Sequence, residues 1–207
     1  MLNRYARAVV TRILTPVARL LLAARVSPDA VTVLGTLGVV VGALAFYPRG
    51  NFFVGTLVVT AFAFSDTVDG VMARLSGRPS VWGAFLDSSL DRVGDAAIFA
   101  GLLLWFAGPA DNQPMAGLTL WCLVAGSLTS YVKARAEGLG MRADVGIAER
   151  ADRLVLILVV TGLDGLGVPY VLAVGLWLLA VASLVTIAQR VALVRRQALA
   201  PGTGERG

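Results

Sequence analysis

Apolar residues along this chain come in blocks of about 20, the length a helix needs to cross roughly 30 Å of hydrocarbon, and not in the alternation of strands. Six blocks can be drawn: Val31–Tyr47, Phe52–Leu75, Val81–Phe106, Met115–Glu137, Ala148–Leu163 and Val168–Arg190. Between them stand Pro48-Arg-Gly-Asn51, Ser76-Gly-Arg-Pro-Ser80, Gly108–Pro114, Gly138–Gly146 and Asp164–Gly167, segments rich in turn formers. Connections this short make neighbouring helices antiparallel. The pattern predicts an all-α, polytopic membrane protein of six transmembrane helices over 27–196, with a disordered tail over 197–207.

Residues 1–26 follow a different pattern. At 100° per residue Arg4, Arg7, Arg12 and Arg19 gather on one arc, opposite Leu2, Tyr5, Val9, Ile13, Val17 and Leu20. This predicts an amphipathic helix on the membrane surface, kinked at Pro16, with a solvated cap of the bundle as the alternative. A signal peptide fits poorly, because Arg12, Pro16 and Arg19 interrupt the apolar stretch and no small-residue cleavage site follows.

Composition strengthens the membrane reading. Hydrophobic types make up 57% of the 207 residues and charged types 15%, with a mean hydropathy of +0.78. A soluble domain carries about 25% charged residues. The net charge of +5 could point to nucleic acid, but the basic residues flank apolar blocks and form no single stripe, so no nucleic-acid partner is expected. Seventeen of the eighteen Lys/Arg fall on one side of the predicted membrane, only Arg49 on the other. By the positive-inside rule both termini and the even-numbered turns lie in the cytosol of a cell-membrane protein. One cysteine, Cys122, excludes a disulfide framework, and the absence of histidine leaves proton transfer and metal binding to carboxylates.

Those carboxylates sit inside the spans, where ionisable groups are costly and mark functional sites. Asp66 and Asp69 occupy the second block; Asp87 and Asp91 occupy the third, with Asp95 a turn further on. Spacings of three and four put each pair on one helix face. Both cross-pairs, Asp66 with Asp91 and Asp69 with Asp87, centre on the Arg78-Pro79 turn, so an antiparallel hairpin holds them at matched depth. Four facing carboxylates need positive charge among them, and hard oxygen donors suit magnesium, manganese or calcium. Two cations shared by four carboxylates form an arrangement suited to phosphoryl transfer. The alternative is ion pairing with Arg74 and Arg92. Gly70, Ala73 and Gly83 beside the acids let helices approach or leave room for a ligand.

The run from Asp66-Thr-Val-Asp69-Gly70-Val-Met-Ala73-Arg74 to Gly83-Ala-Phe-Leu-Asp87-Ser-Ser-Leu-Asp91 matches D-x2-D-G-x2-A-R-x8-G-x3-D-x3-D at every fixed position. It resembles the signature of the CDP-alcohol phosphotransferases, membrane enzymes in which an alcohol displaces CMP from a CDP-linked donor. The resemblance implies that Asp66, Asp69, Asp87 and Asp91 bind two divalent cations, magnesium first and manganese second. It also implies that Asp91 doubles as the catalytic base, that Gly70, Ala73, Arg74 and Gly83 border the cytidine diphosphate of CDP-diacylglycerol, and that the protein is a homodimer. Ser27-Pro-Asp29-Ala-Val-Thr32 resembles the family's nucleotide-contacting segment, with Asp29 where Asn is usual, and reads equally as an ordinary helix start.

Ser130, Lys133 and Arg135 end the fourth block, Arg150 and Arg153 open the fifth and Arg190 ends the sixth. Several cations at helix ends want an anion, and guanidinium forks suit phosphate, so Ser130, Lys133, Arg135, Arg153 and Arg190 are the candidate site for an acceptor that itself carries phosphate. The stretches Ser130–Glu137 and Val145–Arg153 resemble the actinobacterial phosphatidylinositol phosphate synthases of that family, which implies inositol 1-phosphate as acceptor. Glycerol 3-phosphate, the acceptor of the phosphatidylglycerophosphate branch, is the alternative; a divalent-cation carrier is the competing class, since acids in spans also mark ion pathways.

Overall fold

The structure is a computed structural model describing residues 14–77 and 80–200, with Asp66 described by its backbone alone. Helix α1 (Leu14–Ala23) leads into α2 (Pro28–Phe46), a short 3-10 turn at Tyr47–Arg49, α3 (Phe52–Ala63), α4 (Ser65–Leu75), α5 (Val81–Ala107), α6 (Gln113–Gly138), α7 (Arg150–Gly165) and α8 (Val171–Ala198). All regular structure among the described residues is helical.

Among the described residues four stretches are long and apolar enough to cross a membrane: Pro28–Arg49, Phe52–Leu75, Gln113–Gly138 and Val171–Ala198. The remaining two expected spans depart from simple apolar runs for separate reasons. Helix α5 has 27 residues but carries Asp87, Asp91 and Arg92 in its first half and Asp95 just past its midpoint. Helix α7 has 16 residues, which at 1.5 Å each is about 24 Å, short of a bilayer core.

Packing partners close a ring in the order α2, α5, α6, α8, α7, α3 and back to α2. Val59, Ile98, Leu102, Ile157 and Leu176 fill its interior. Close approach depends on glycine: a Cβ at Gly101 of α5 would stand 2.7 Å from the Ala43 carbonyl oxygen of α2. The outer surface remains apolar, with Leu34, Leu57, Trp121, Trp177 and Val181 all exposed, as a bundle solvated by lipid requires.

Two expectations change. Phe52–Leu75 is two helices, not one: the chain breaks at Phe64, where the Ser65 hydroxyl donates to the Phe62 carbonyl at 2.6 Å and competes with the helical ladder. Helix α4 then leans on α2 and α1, where Ala18, Val71 and Met72 are buried together. Residues 197 and 198, expected in the tail, belong to α8, which continues to Ala198. There the Gln197 side chain accepts from the Arg142 N–H at 2.9 Å and donates to the Arg142 carbonyl at 2.6 Å. Arg4, Arg7, Arg12, Arg78 and the end of the chain over 201–207 lie outside the described residues.

Candidate active site

Helices α2, α4 and α5 bring the donor-side residues together. Ser27 caps α2, accepting from the Ala30 N–H at 3.2 Å, so Ser27-Pro-Asp is indeed a helix start. The same turn reaches the acids: the Thr32 hydroxyl donates to Asp69 Oδ2, and Asp69 is buried. The Asp29 carboxylate lies 3.5 Å from where a side chain at Gly83 would begin, which puts it at the start of α5. Ser80 caps that helix by accepting from the Gly83 N–H at 2.8 Å.

Gly70 and Gly83 do not serve close helix packing. Among the described residues, a Cβ at Gly70 would meet nothing nearer than Arg74 Nη1 at 3.7 Å, and one at Gly83 would approach only Ser80 Oγ and Asp29. Among the described residues, the two glycines therefore leave space beside the acids instead of a helix contact. Ala73 is partly exposed and Arg74 exposed on the same helix.

Asp87 and Asp91 lie one turn apart on α5, both partly buried. Asp91 is engaged from two sides: Arg150 Nη2 of α7 stands 2.8 Å from its Oδ1, and Arg92 Nη2 stands 3.5 Å from its Oδ2. The Asp66 side chain lies outside the described residues, and among those described no three Asp, Glu, Cys or His groups form a ready cation site. The donor set still fits a hard divalent cation. The chain has no histidine, and Cys122 is buried in α6, donating to the Leu176 carbonyl at 3.4 Å, so the groups left at α4 and α5 are oxygens.

On the α6, α7 and α8 side, a cavity of about 280 Å³ is lined by Ser130, Lys133, Arg153 and Arg190, together with Arg92 and Arg150. Arg153 and Arg190 are 6% and 4% exposed. The hydrogen bonds they make run to neutral oxygens: Arg153 Nη1 to Ala148 O at 3.0 Å and Nη2 to Ser130 Oγ at 3.4 Å, Arg190 Nε to Val145 O at 2.9 Å and Nη1 to Thr129 O at 2.7 Å. Carbonyls orient a guanidinium without cancelling its charge, and the five cations lining the cavity outnumber its two acids, Glu137 and Glu149. Lys133 Nζ lies 2.7 Å from Asp144 of the 139–149 loop, and this contact holds the Asp144 carboxyl below the usual carboxylate range.

Four of the five residues expected around an acceptor phosphate therefore share one cavity. Arg135 does not: two residues beyond Lys133 is about 200° around the helix, and its side chain is exposed away from the cavity. The acceptor set read from the sequence did not include Arg92, assigned there to ion pairing with the acids, or Arg150, named only as a helix-end cation. The spacing of Arg150 and Arg153, three apart at the start of α7, was the one available signal.

Comparison with known proteins agrees with this geometry. A family model described as CDP-alcohol phosphatidyltransferase matches residues 25–188. The phosphatidylinositol phosphate synthase of Streptomyces avermitilis is 55% identical over 95% of this chain and 84% of its own. That of Mycolicibacterium smegmatis is 44% identical over 97% of this chain and 94% of its own. A crystal structure of the Mycobacterium tuberculosis phosphatidylinositol phosphate synthase with CDP-DAG bound superposes with a TM-score of 0.88 at 44% identity, covering 95% of this chain and 98% of the other. The same enzyme in complex with manganese and citrate gives 0.87 at 44% identity, over 94% and 93% of the two chains. With the acid signature intact on α4 and α5 and the match running from the start of α2 into α8, the chain belongs to the CDP-alcohol phosphatidyltransferase family.

Proposed function

We propose that this protein transfers the phosphatidyl group of CDP-diacylglycerol to a hydroxyl of inositol 1-phosphate, forming phosphatidylinositol phosphate and releasing CMP. The observation that carries the acceptor is the buried pair Arg153 and Arg190, whose charge is oriented by carbonyls and left for an anion. The names of the relatives and the lipid nucleotide bound to the mycobacterial enzyme support the donor and the product.

In this reading Asp66, Asp69, Asp87 and Asp91 hold two divalent cations, magnesium in the cell with manganese as a substitute, the latter supported by the manganese complex of the relative. Such cations neutralise the donor pyrophosphate and the departing CMP. Thr32 orients Asp69; Asp29, Gly70, Ala73, Arg74 and Gly83 border the nucleotide. Ser130, Lys133, Arg153 and Arg190 fix the acceptor phosphate, while Asp91 accepts the proton of the attacking hydroxyl. The oxygen bonds to the phosphorus next to the lipid, and the bond from that phosphorus to CMP breaks.

The membrane arrangement belongs to the same proposal. Residues 27–196 form the membrane domain, which crosses six times, with α3 and α4 as one broken span and α7 as a short one. Residues 1–26 lie along the cytosolic surface; the exposed Val17 and Leu20 of α1 support this. The site and both termini face the cytosol, and two copies associate as a homodimer.

The test is CMP release by purified protein with CDP-diacylglycerol and magnesium against inositol 1-phosphate, free inositol, glycerol 3-phosphate and serine. Strong preference for inositol 1-phosphate is expected. Equal use of free inositol would remove the phosphate pocket, and preference for glycerol 3-phosphate would move the protein to the other branch.

A further inference from the structure

Arg150 opens α7, opposite α5 in the ring, yet its guanidinium reaches α5. One nitrogen, Nη2, lies 2.8 Å from Asp91 Oδ1 and 3.3 Å from Asp95 Oδ1. Asp91 and Asp95 are a turn apart on one face, where like charges repel, and a shared cation removes that conflict. Arg150 also lines two cavities at once, one with Asp91 and Asp95, the other with Lys133, Arg153 and Arg190. It therefore forms the wall between the acid site and the cationic pocket.

Its electrostatic setting differs from that of its neighbours. Arg153 and Arg190 bond to carbonyls and keep their charge for an anion, whereas Arg150 sits against two carboxylates, so its charge is already matched. Asp95 Oδ1 is buried and makes no hydrogen bond, and its pairing with Arg150 is a charge contact that helps offset its desolvation.

We propose that Arg150, anchored by Asp95, is a positioning residue that holds the Asp91 carboxylate at the boundary where the acceptor hydroxyl arrives. This rests on the reading of Asp91 as the proton acceptor. A base displaced by about 1 Å loses about 100-fold in rate, while the binding of either substrate, made by other residues, is spared.

The experiment is steady-state CMP release by wild type, Arg150→Ala, Arg150→Lys and Asp95→Asn, each checked for a monodisperse peak in detergent and assayed well below its own melting temperature. Arg150→Ala should lower kcat at least about tenfold with both KM values within about twofold of wild type. Arg150→Lys, whose ammonium can still bridge two carboxylates, should fall between Ala and wild type, and Asp95→Asn should lower kcat by less. A raised acceptor KM with kcat intact makes Arg150 a phosphate ligand and overturns the proposal, as does Arg150→Lys being as inactive as Arg150→Ala. If the wild type releases no CMP with any acceptor, it is the functional reading that fails, and this is seen before any variant is compared.

Discussion

Replacing Gly70 by alanine should make the protein more stable and less active at the same time. Glycine inside a helix costs about 0.5–1 kcal/mol relative to alanine, and Gly70 is interior to α4. Among the described residues the added methyl meets nothing nearer than the flexible end of Arg74 at 3.7 Å, so none of them opposes that gain. For a chain of this size the gain corresponds to a melting temperature higher by about 1–4 °C. If the open space is the donor's, the same methyl intrudes on a bound ligand, an overpacking of about 1–3 kcal/mol, or roughly a 5- to 150-fold loss in kcat/KM for CDP-diacylglycerol. Gly101→Ala is the contrast: its methyl would stand 2.7 Å from the Ala43 backbone oxygen, and melting should fall. The assays are detergent melting curves and CMP release at varied donor concentration. Wild-type kinetics in Gly70→Ala would refute the assignment of this space to a ligand, and a lowered melting temperature would refute the packing argument.

Asp69→Asn, Asp87→Asn and Asp91→Asn should each remove most CMP release while leaving a folded, monodisperse protein; near-wild-type turnover in Asp69→Asn or Asp87→Asn would exclude them as cation ligands. Arg190→Ala should raise the acceptor KM by roughly ten- to a hundredfold, the loss of one charge-assisted hydrogen bond of about 1.5–3 kcal/mol, with little change in the donor KM. It should also lower the melting temperature, because the Val145 and Thr129 carbonyls lose their donor. The Lys133 contact depresses the Asp144 carboxyl, so the stabilisation it brings is fully present above the ordinary carboxylate range and disappears as pH falls through the lowered value. Melting curves of wild type and Asp144→Asn should converge at acid pH and separate towards neutrality.

The acid cluster was legible in the sequence because it depends on local spacing: three and four residues along two helices joined by one tight turn. The cationic pocket was legible in part, since Lys133, Arg153 and Arg190 end or begin apolar blocks. What stayed hidden depends on distant partners. The break at Phe64 comes from one hydroxyl within an apolar run, and Gly35 of α2 packs against the same Ser65. Arg150 joins Asp91 across the ring, a pairing that periodicity on either helix cannot foretell. Gly70 and Gly101 read alike in sequence, and only their neighbours separate a glycine kept for space from one kept for contact.

The 139–149 loop is fastened chiefly by residues that come after it. Gly146 lies with φ 138° against Thr186, Ala148 N–H donates to Thr186, Val145 accepts from Arg190, and Arg142 pairs with Gln197. Arg190 follows Val145 by 45 residues, so at about 5–20 residues per second a ribosome takes roughly 2–9 s to supply the loop's partner. Helices α2, α4 and α5 have by then left the ribosome, and the nucleotide half can assemble while the acceptor half waits for the last helix to insert. A nascent chain halted before α8 would carry every acid of the signature and no enclosed anion pocket, so the two halves of the reaction centre are born at different times.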